Sequence, residues 1–318
     1  MEAFQNKKIQ SILAVIIVLV VILWAYKDDV LKVYPLQKKI EPLIIINEEV
    51  KEKPYLHKIE NFLLKEYSEG QLLLHTIEAE TYFSFKDSPV QLLEIILKTY
   101  DKSQQEGLVL KSNRAKITKL RDIIFNGEVN IVTKSGILHQ LDTEELIFIS
   151  ESGQIKSESE ITYLGESEKI TSQGMEMNKD SDTMFLNGEV ELKQDFGPII
   201  NTTNLFINHY DGNKIYQSEG KTIYSSEDNT VTSEQGIDVN MNKNLLNLLG
   251  KVNILGVSGS TIDSYNLTVD QSNGGEIFKS NDLVHYQSTG VNIKAKKMYY
   301  NVPYKKIELT NKVSAIYE

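Results

Sequence analysis

A short phrase occurs four times in this chain, and its regular spacing limits the possible folds more than any other feature. The copies read "FNGEVNI", "LNGEVEL", "LLGKVNI" and "LTNKVSA". Their central residues are separated by 61, 62 and 61 residues and are Gly127, Gly188, Gly250 and Asn311. A fixed period of this length is typical of units that cannot bury their own apolar face and therefore stack along one axis.

Apolar side chains occupy every second position around each central residue. They are Ile123, Phe125, Val129 and Ile131; Met184, Leu186, Val190 and Leu192; Leu246, Leu248, Val252 and Ile254; and Ile307, Leu309, Val313 and Ala315. Alternation with period two predicts β-strands with one buried face. A glycine in the middle of such a strand predicts a kink, a close backbone approach or a positive φ. We therefore predict structural roles for Gly127, Gly188 and Gly250.

Two further phrases keep the same period. "LDTEELIF", "INTTNLFI" and "IDSYNLTV" begin at Leu141, Ile200 and Ile262, and "IEAETYF" from Ile77 fits the same position in the first unit. The phrases "KSNRAKI", "TSQGMEM" and "TSEQGIDV" precede the glycine strands, and polar turn clusters join them as in hairpins. The sequence thus predicts an all-β fold with about four repeats over residues 59–318.

The segment 88–101, "SPVQLLEIILKTYD", allows two interpretations. Ser88 and Pro89 suit the first residues of a helix. The surrounding β pattern favours a strand, which is the interpretation we adopt.

Charge and composition exclude several classes of function. The chain of 318 residues has a formal net charge of −10 and only two arginines, Arg114 and Arg121. An acidic surface repels phosphate backbones, so nucleic acid is not an expected partner. The absence of cysteine excludes disulfides, thiolate catalysis and cysteine-ligated zinc.

No motif in the sequence indicates catalysis, a metal site or a cofactor. The five histidines, His57, His75, His139, His209 and His285, are scattered and form no zinc-binding motif. Nucleotide-binding and nucleophile-elbow motifs are also absent from the sequence. Because an active site is a single asymmetric arrangement, a repeated sequence also argues against an enzyme.

The N-terminus contains the strongest local signal. After a short tail (1–8), an apolar stretch over residues 9–26 is just long enough to cross a bilayer as a helix. A cleaved secretory signal peptide is the alternative, but the stretch lacks a small-residue cleavage site and ends near Trp24 and Tyr26, residue types common at membrane interfaces. We therefore predict a single-pass signal anchor with a cytoplasmic N-terminus, followed by an extended proline-containing tether over 27–58.

An anchor, a tether and β phrases of this type resemble the LptC family of lipopolysaccharide-export proteins. The resemblance rests on Ile9–Tyr26, on "ENFLLKEYSEGQLLLHTIEAETYF" (Glu60–Phe83) and on the phrases up to "LNGEVEL". In the second of these, Gly70 is expected to have a structural role between two strands. It covers roughly residues 1–192, so 59–192 is expected to be an LptC-like β-jelly roll. Residues 193–318 add units that suggest either an elongated LptC or an LptC with LptA-like (OstA-like) repeats.

The resemblance implies an open, twisted β-jelly roll whose apolar trough holds the acyl chains of lipopolysaccharide. About eight to ten rungs per sheet would make a trough of roughly 40–50 Å. The trough residues would be Ile123, Phe125, Val129, Ile131, Met184, Leu186, Val190, Leu192, Leu246, Leu248, Val252, Ile254, Leu309 and Val313.

The resemblance also implies a location and partners. The anchor would lie in the inner membrane and the β repeats in the periplasm, where an inner-membrane ABC transporter would supply the lipid. A C-terminal edge formed by Val313, Ala315 and Tyr317 would accept an LptA-like or LptD-like jelly roll by β-augmentation. The alternative is a membrane-anchored structural stalk, a closed β-rod without a lipid ligand.

Overall fold

The computed structural model describes residues 54–134, 140–178, 182–194, 197–256 and 259–317. These residues contain 23 β-strands and two single-turn 3-10 helices, Tyr210–Gly212 and Met241–Lys243. The predicted all-β class is confirmed. The predicted anchor and most of the predicted tether lie outside the described residues. Within the part of the chain that the structure describes, no helix is long and apolar enough to cross a membrane.

The strands form one antiparallel ladder. We use the term rung for one step of this ladder, which is either a single long strand or two short strands that lie end to end. Each inner rung pairs with the rung before it and the rung after it. Eleven rungs are single long strands: β1 (His57–Tyr67), β2 (Leu73–Ser84), β3 (Val90–Tyr100), β4 (Glu106–Ile117), β5 (Ile123–Thr133), β6 (Gln140–Ile149), β9 (Glu168–Asn178), β10 (Thr183–Gln194), β11 (Ile199–Asn208), β16 (Leu245–Gly256) and β17 (Thr261–Asp270).

The other six rungs are pairs of short strands that lie end to end. They are β7 (Gln154–Ser157) with β8 (Ile161–Leu164), β12 (Ile215–Ser218) with β13 (Thr222–Ser225), β15 (Ile237–Asn240) with β14 (Asn229–Ser233), β18 (Ile277–Ser280) with β19 (Val284–Ser288), β21 (Lys297–Asn301) with β20 (Val291–Ala295), and β22 (Lys306–Thr310) with β23 (Ser314–Tyr317). Eleven long and six composite rungs make 17 in the described residues, more than the eight to ten expected. Four rungs make up one sequence repeat.

The pairing register slips near the middle of the long strands β5, β10 and β16. Between Leu186 and Glu189 of β10, the two intervening residues lie opposite a single residue of β11, so the pairing register shifts by one residue. The same slip occurs in β5 and in β16. Such bulges bend a strand sharply. Here they fold the ladder over, so that the two halves of each rung belong to two facing layers.

The composite rungs identify the two layers. β7 pairs with the second half of β6 and belongs to the first layer, together with β12, β15, β18, β21 and β22. β8 pairs with the first half of β6 and belongs to the second layer, together with β13, β14, β19, β20 and β23. Inward side chains of both layers form one hydrophobic core that extends from Ile77 to Val302.

The strand interpretation of residues 88–101 is confirmed by β3. Leu92, Ile95 and Leu97 are at most 1% exposed, and β3 pairs on both sides, with β2 and β4. Inward apolar residues on a central rung explain why the helix-like start at Ser88 and Pro89 does not determine the structure. Tertiary pairing decides strand formation more than local propensity does.

The fourth copy of the repeated phrase departs from the prediction of one alternating strand. A turn at Asn311 and Lys312, both with positive φ, divides it into β22 and β23. Val313 falls in the connection between them and is 53% exposed. No further rung covers this end within the described residues, so the fourth copy lacks the burial that its predecessors have.

Candidate functional site

The predicted trough residues of the first three copies all point into the core between the two layers. Their exposed fractions range from 0% to 7%, and they are Ile123, Phe125, Val129, Ile131, Met184, Leu186, Val190, Leu192, Leu246, Leu248, Val252 and Ile254. Leu309 in the fourth copy is half-buried. The structure therefore brings twelve of the fourteen predicted residues into one continuous aliphatic interior, which the side chains of the chain itself fill.

The line of mid-rung bends, termed the crease, runs along one long edge of the layers through Gly127, Gly188 and Gly250. Their φ angles are +75°, +75° and +74°, in the left-handed region that favours glycine. The amide nitrogen of Gly188 donates a hydrogen bond to Asn204 Oδ1 at 2.9 Å, and Gly250 makes the equivalent bond to Asn266, also at 2.9 Å. The positive φ anticipated for these glycines is thus present.

Two glycines outside the repeated phrase differ in how strongly their positions require glycine. Gly70 lies in the turn between β1 and β2, but the positive φ there belongs to Gln71, and a Cβ at Gly70 would meet only Ser68 Oγ at 3.7 Å. Gly236 carries the stronger requirement. Its φ is +90°, and a Cβ there would lie 1.8 Å from the carbonyl oxygen of Ser218 on the neighbouring rung. The crease therefore requires glycine at Gly236, which the repeated phrase does not include.

Buried hydroxyl groups follow the crease and donate hydrogen bonds to backbone carbonyl groups near the bulges. Ser233 Oγ donates to the carbonyl oxygens of Gly236 (3.0 Å) and Leu249 (2.5 Å). Hydroxyls on successive rungs also contact one another, with Thr202 2.5 Å from Ser218. The remaining members of this set are Ser112, Thr143, Ser157, Ser172, Thr222, Ser264 and Ser280. The crease is consequently a polar seam beside an apolar interior.

The opposite long edge, termed the mouth, is formed by rung ends and by the turns that join successive rungs. A buried carboxylate lies there: Glu168, at the start of β9 in the second layer, is 4% exposed. Its Oε1 accepts a hydrogen bond of 2.6 Å from the hydroxyl of Tyr216, which belongs to β12 in the first layer. Its Oε2 accepts bonds from the amide and hydroxyl of Ser167 at 3.1 and 3.0 Å. This carboxylate therefore links the two layers.

Further polar contacts surround this carboxylate. The hydroxyls of Tyr163 and Tyr216 are hydrogen-bonded to each other, and His209 Nε2 lies 3.3 Å from Tyr216 Oη. Burial, reinforced by the nearby Glu168, raises the pKa of both tyrosines above the usual range, so both stay neutral. Outside the tyrosines, Lys214 Nζ of the first-layer turn lies 2.7 Å from Glu166 Oε2 of the second-layer turn.

A second group of contacts crosses the mouth about one repeat further along. Tyr224 of β13, in the second layer, donates a 2.7 Å hydrogen bond to Glu276 Oε1 and accepts one of 3.2 Å from Gln271 Nε2. Both partners lie in the first-layer turn between β17 and β18. Burial raises the pKa of Tyr224 above its usual range. Phe278 packs edge-on against this ring and against Tyr300.

The two ends of the ladder expose apolar side chains. On the terminal rung, β22 pairs with β21 and β23 pairs with β20, and the described residues provide no partner for their outer edges. Tyr317 is 74% exposed and Ile316 61% exposed. At the other end, β1 exposes Leu63 and Tyr67 by 55% and 54%. Edge strands with apolar side chains are suited to pairing with another chain.

A bent β-ladder with a continuous apolar interior, a polar crease and terminal rungs whose outer edges have no partner among the described residues is typical of β-jelly-roll proteins. The family described as lipopolysaccharide-assembly, LptC-related, matches residues 11–195 and 203–318. The chain belongs to this family. A search of curated proteins returned no match. The second matched range includes the added repeats, and the family is one of lipopolysaccharide transport rather than of enzymes.

The residues that cross the mouth were not predicted from the sequence. Glu168 and Tyr216 are 48 residues apart and belong to different phrases. One feature of the sequence could have identified the tyrosines among these residues. Tyr163 and Tyr224 are separated by 61 residues, the repeat period, and each occupies an inward position on its short strand. A tyrosine repeated at an inward position indicates a buried hydroxyl that needs a partner.

Proposed function

We propose that this chain is an inner-membrane-anchored component of lipopolysaccharide export that carries the lipid along the interior between its two layers. The observation that carries the proposal is the continuous aliphatic interior, to which every rung of the second and third repeats contributes. Burial of an acyl chain contributes about 0.8 kcal/mol for each CH₂ group. A uniform aliphatic interior offers this gain at every position, and a lipid can therefore move along it without strong point contacts.

The direction of transport is proposed from the two ends. An ABC transporter in the inner membrane would supply lipopolysaccharide near β1, which is closest in sequence to the predicted anchor at residues 9–26. An LptA-like or LptD-like jelly roll would pair with the outer edges of β22 and β23, next to Ala315 and Tyr317. Seventeen rungs spaced about 4.8 Å apart give a path of roughly 75 Å. This length supports an elongated LptC that performs part of the work of a separate soluble bridge.

A closed structural stalk is the second candidate, and one observation favours it. The interior residues are at most 7% exposed, so native side chains already fill the space between the layers. A stalk needs no further space, whereas a conduit requires the layers to separate. The two functions therefore differ in whether lipid reaches the interior.

Binding of labelled lipopolysaccharide to the full-length chain in detergent distinguishes the two candidates. The conduit predicts saturable binding that unlabelled lipopolysaccharide displaces and that its deacylated oligosaccharide does not displace, because the acyl chains provide the binding energy. Failure of the full-length, folded chain to bind, or equal displacement by the oligosaccharide, would contradict the conduit. Either result would leave the stalk as the better account.

A further inference from the structure

The two long edges of the ladder are held together in different ways. At the crease the backbone of each long strand passes directly from one layer to the other, as at Gly188 and Gly250. At the mouth, turns join rungs within a single layer. The contacts across the mouth described above are made by side chains. If the layers separate, covalent continuity keeps the crease intact, and the mouth is the edge that opens.

Acyl chains can occupy the interior only if the layers move apart. Val190, Val252 and their neighbours are already packed at 0–2% exposure. Protein cores have few voids larger than a water molecule, so an additional hydrocarbon chain needs new volume. The positive-φ glycines at the crease permit a change in the bend there. Rotation about the crease would widen the mouth most.

Two contacts bridge the mouth next to β9 and β12 and together form what we term the mouth latch: Glu168 with Tyr216, and Glu166 with Lys214. The first contact is buried, with Glu168 at 4% and Tyr216 at 0% exposure. The second covers it from outside, because the side chain of Lys214 is 14% exposed and that of Glu166 is 66% exposed. Both partners of the outer pair project from turns, which are the parts of each layer nearest to solvent.

We propose that the mouth latch holds the two layers together and must release before acyl chains can enter this part of the interior. This proposal rests on the proposed function as a lipid conduit. The latch lies where the first 192 residues meet the added repeats, so it controls passage into the distal repeats.

The chemistry of the latch suits reversible opening. All four groups are polar, and water can replace each lost hydrogen bond when the layers separate. An apolar closure would instead expose hydrocarbon to water. Ser167 donates two hydrogen bonds to Glu168 Oε2 from within the same turn, so the carboxylate keeps its position after Tyr216 withdraws. Closure can therefore take place without rearrangement of the second layer.

A reversible lock across the mouth tests the proposal. The chain contains no cysteine, so the double variant Glu166→Cys with Lys214→Cys carries the only two thiols. A short, reductant-cleavable bis-maleimide joins them. A photocrosslinking amino acid at Val190 then reports lipopolysaccharide in the interior of the full-length protein, and circular dichroism confirms that the strand content is unchanged. The same treatment of Lys306→Cys with Glu308→Cys, a pair within β22, provides the matched control.

The locked protein is expected to form at least tenfold fewer lipid adducts at Val190 than the same protein after cleavage of the linker. The control pair should show no difference. Equal adduct formation in the locked and cleaved states would overturn the latch while leaving the conduit intact. Absence of adducts in both states and in the unlocked control would overturn the conduit and the latch with it.

Removal of a single hydroxyl provides a second test. Tyr216→Phe deletes the donor to Glu168 and keeps the ring, so the mouth should open more often and lipid should load about tenfold faster. Tyr210→Phe, at a 70% exposed position in the adjacent turn, is the matched control and should load at the original rate. Unchanged loading by Tyr216→Phe would contradict the proposal.

Discussion

Gly236 offers the sharpest test of how the ladder folds over. Its φ of +90° costs any other residue about 1–2 kcal/mol. A Cβ would in addition lie 1.8 Å from the carbonyl oxygen of Ser218, so the two rungs must shift by more than an ångström. That shift would strain two hydrogen bonds to the Gly236 carbonyl, from Leu249 N and Ser233 Oγ, each 3.0 Å long. Each is worth about 1 kcal/mol.

The Gly236→Ala variant should therefore lose about 3–4 kcal/mol of stability. Gly127→Ala is the matched control because its φ is +75°, while its added Cβ meets Asn113 only at 3.8 Å. It carries the backbone strain without the collision, so it should lose about 1–2 kcal/mol. Denaturant unfolding of the full-length variants in detergent, monitored by circular dichroism, measures both losses. Equal losses would refute the close approach of the rungs at Gly236.

Three other positions yield predictions of their own. Lys279 Nζ lies 2.7 Å from Asp270 Oδ2 and lowers the pKa of that carboxyl to about 2. This contact therefore stabilises the fold above the ordinary carboxyl pKa, and its contribution disappears as the pH falls through about 2. The free energy of unfolding of Asp270→Asn should be lower than that of the unmodified protein at pH 7, and the two values should converge near pH 2. Val252→Asp places a charge at a position that is 0% exposed and should lower the free energy of unfolding by several kcal/mol, whereas Lys251→Asp, on the outer face, should change it by about 0.5 kcal/mol or less. Ala315→Lys should weaken binding of a jelly-roll partner in a pull-down assay, because a charged side chain on an edge strand opposes pairing with another chain, and should leave the melting temperature nearly unchanged, because every residue of β23 is exposed; retained binding would argue against this edge as the docking site.

The sequence was sufficient to predict the periodic part of the fold. Alternation around Gly127 and its repeats identified strands with one buried face, and the twelve interior residues of the first three copies are buried as the pattern indicates. The same glycines have the positive φ that a mid-strand kink requires. These features are local, because a strand period and a bulge involve neighbouring residues. Local patterns are what a single sequence displays most directly.

The sequence pattern did not predict the side-chain contacts between the two layers. Glu168 comes after a polar turn and resembles the many outward carboxylates of this acidic chain, although it is buried. Its burial depends on Tyr216, which is 48 residues away in the sequence. The two residues come into contact only because the ladder folds into two facing layers. The division of the last copy at Asn311 was likewise not evident, because an end effect leaves no mark on the repeat pattern. Pairing and burial at the last rung depend on whether another rung covers it.

Site-specific photocrosslinking in cells tests the central claim most directly. A crosslinking amino acid would replace Val190 or Val252, which face the interior, with Glu189 and Lys251 as controls on the outer face. An immunoblot then detects lipopolysaccharide bound to the chain. The conduit predicts adducts at both valines and at neither control. A folded, abundant protein with no adduct at either valine would contradict it and favour a closed stalk.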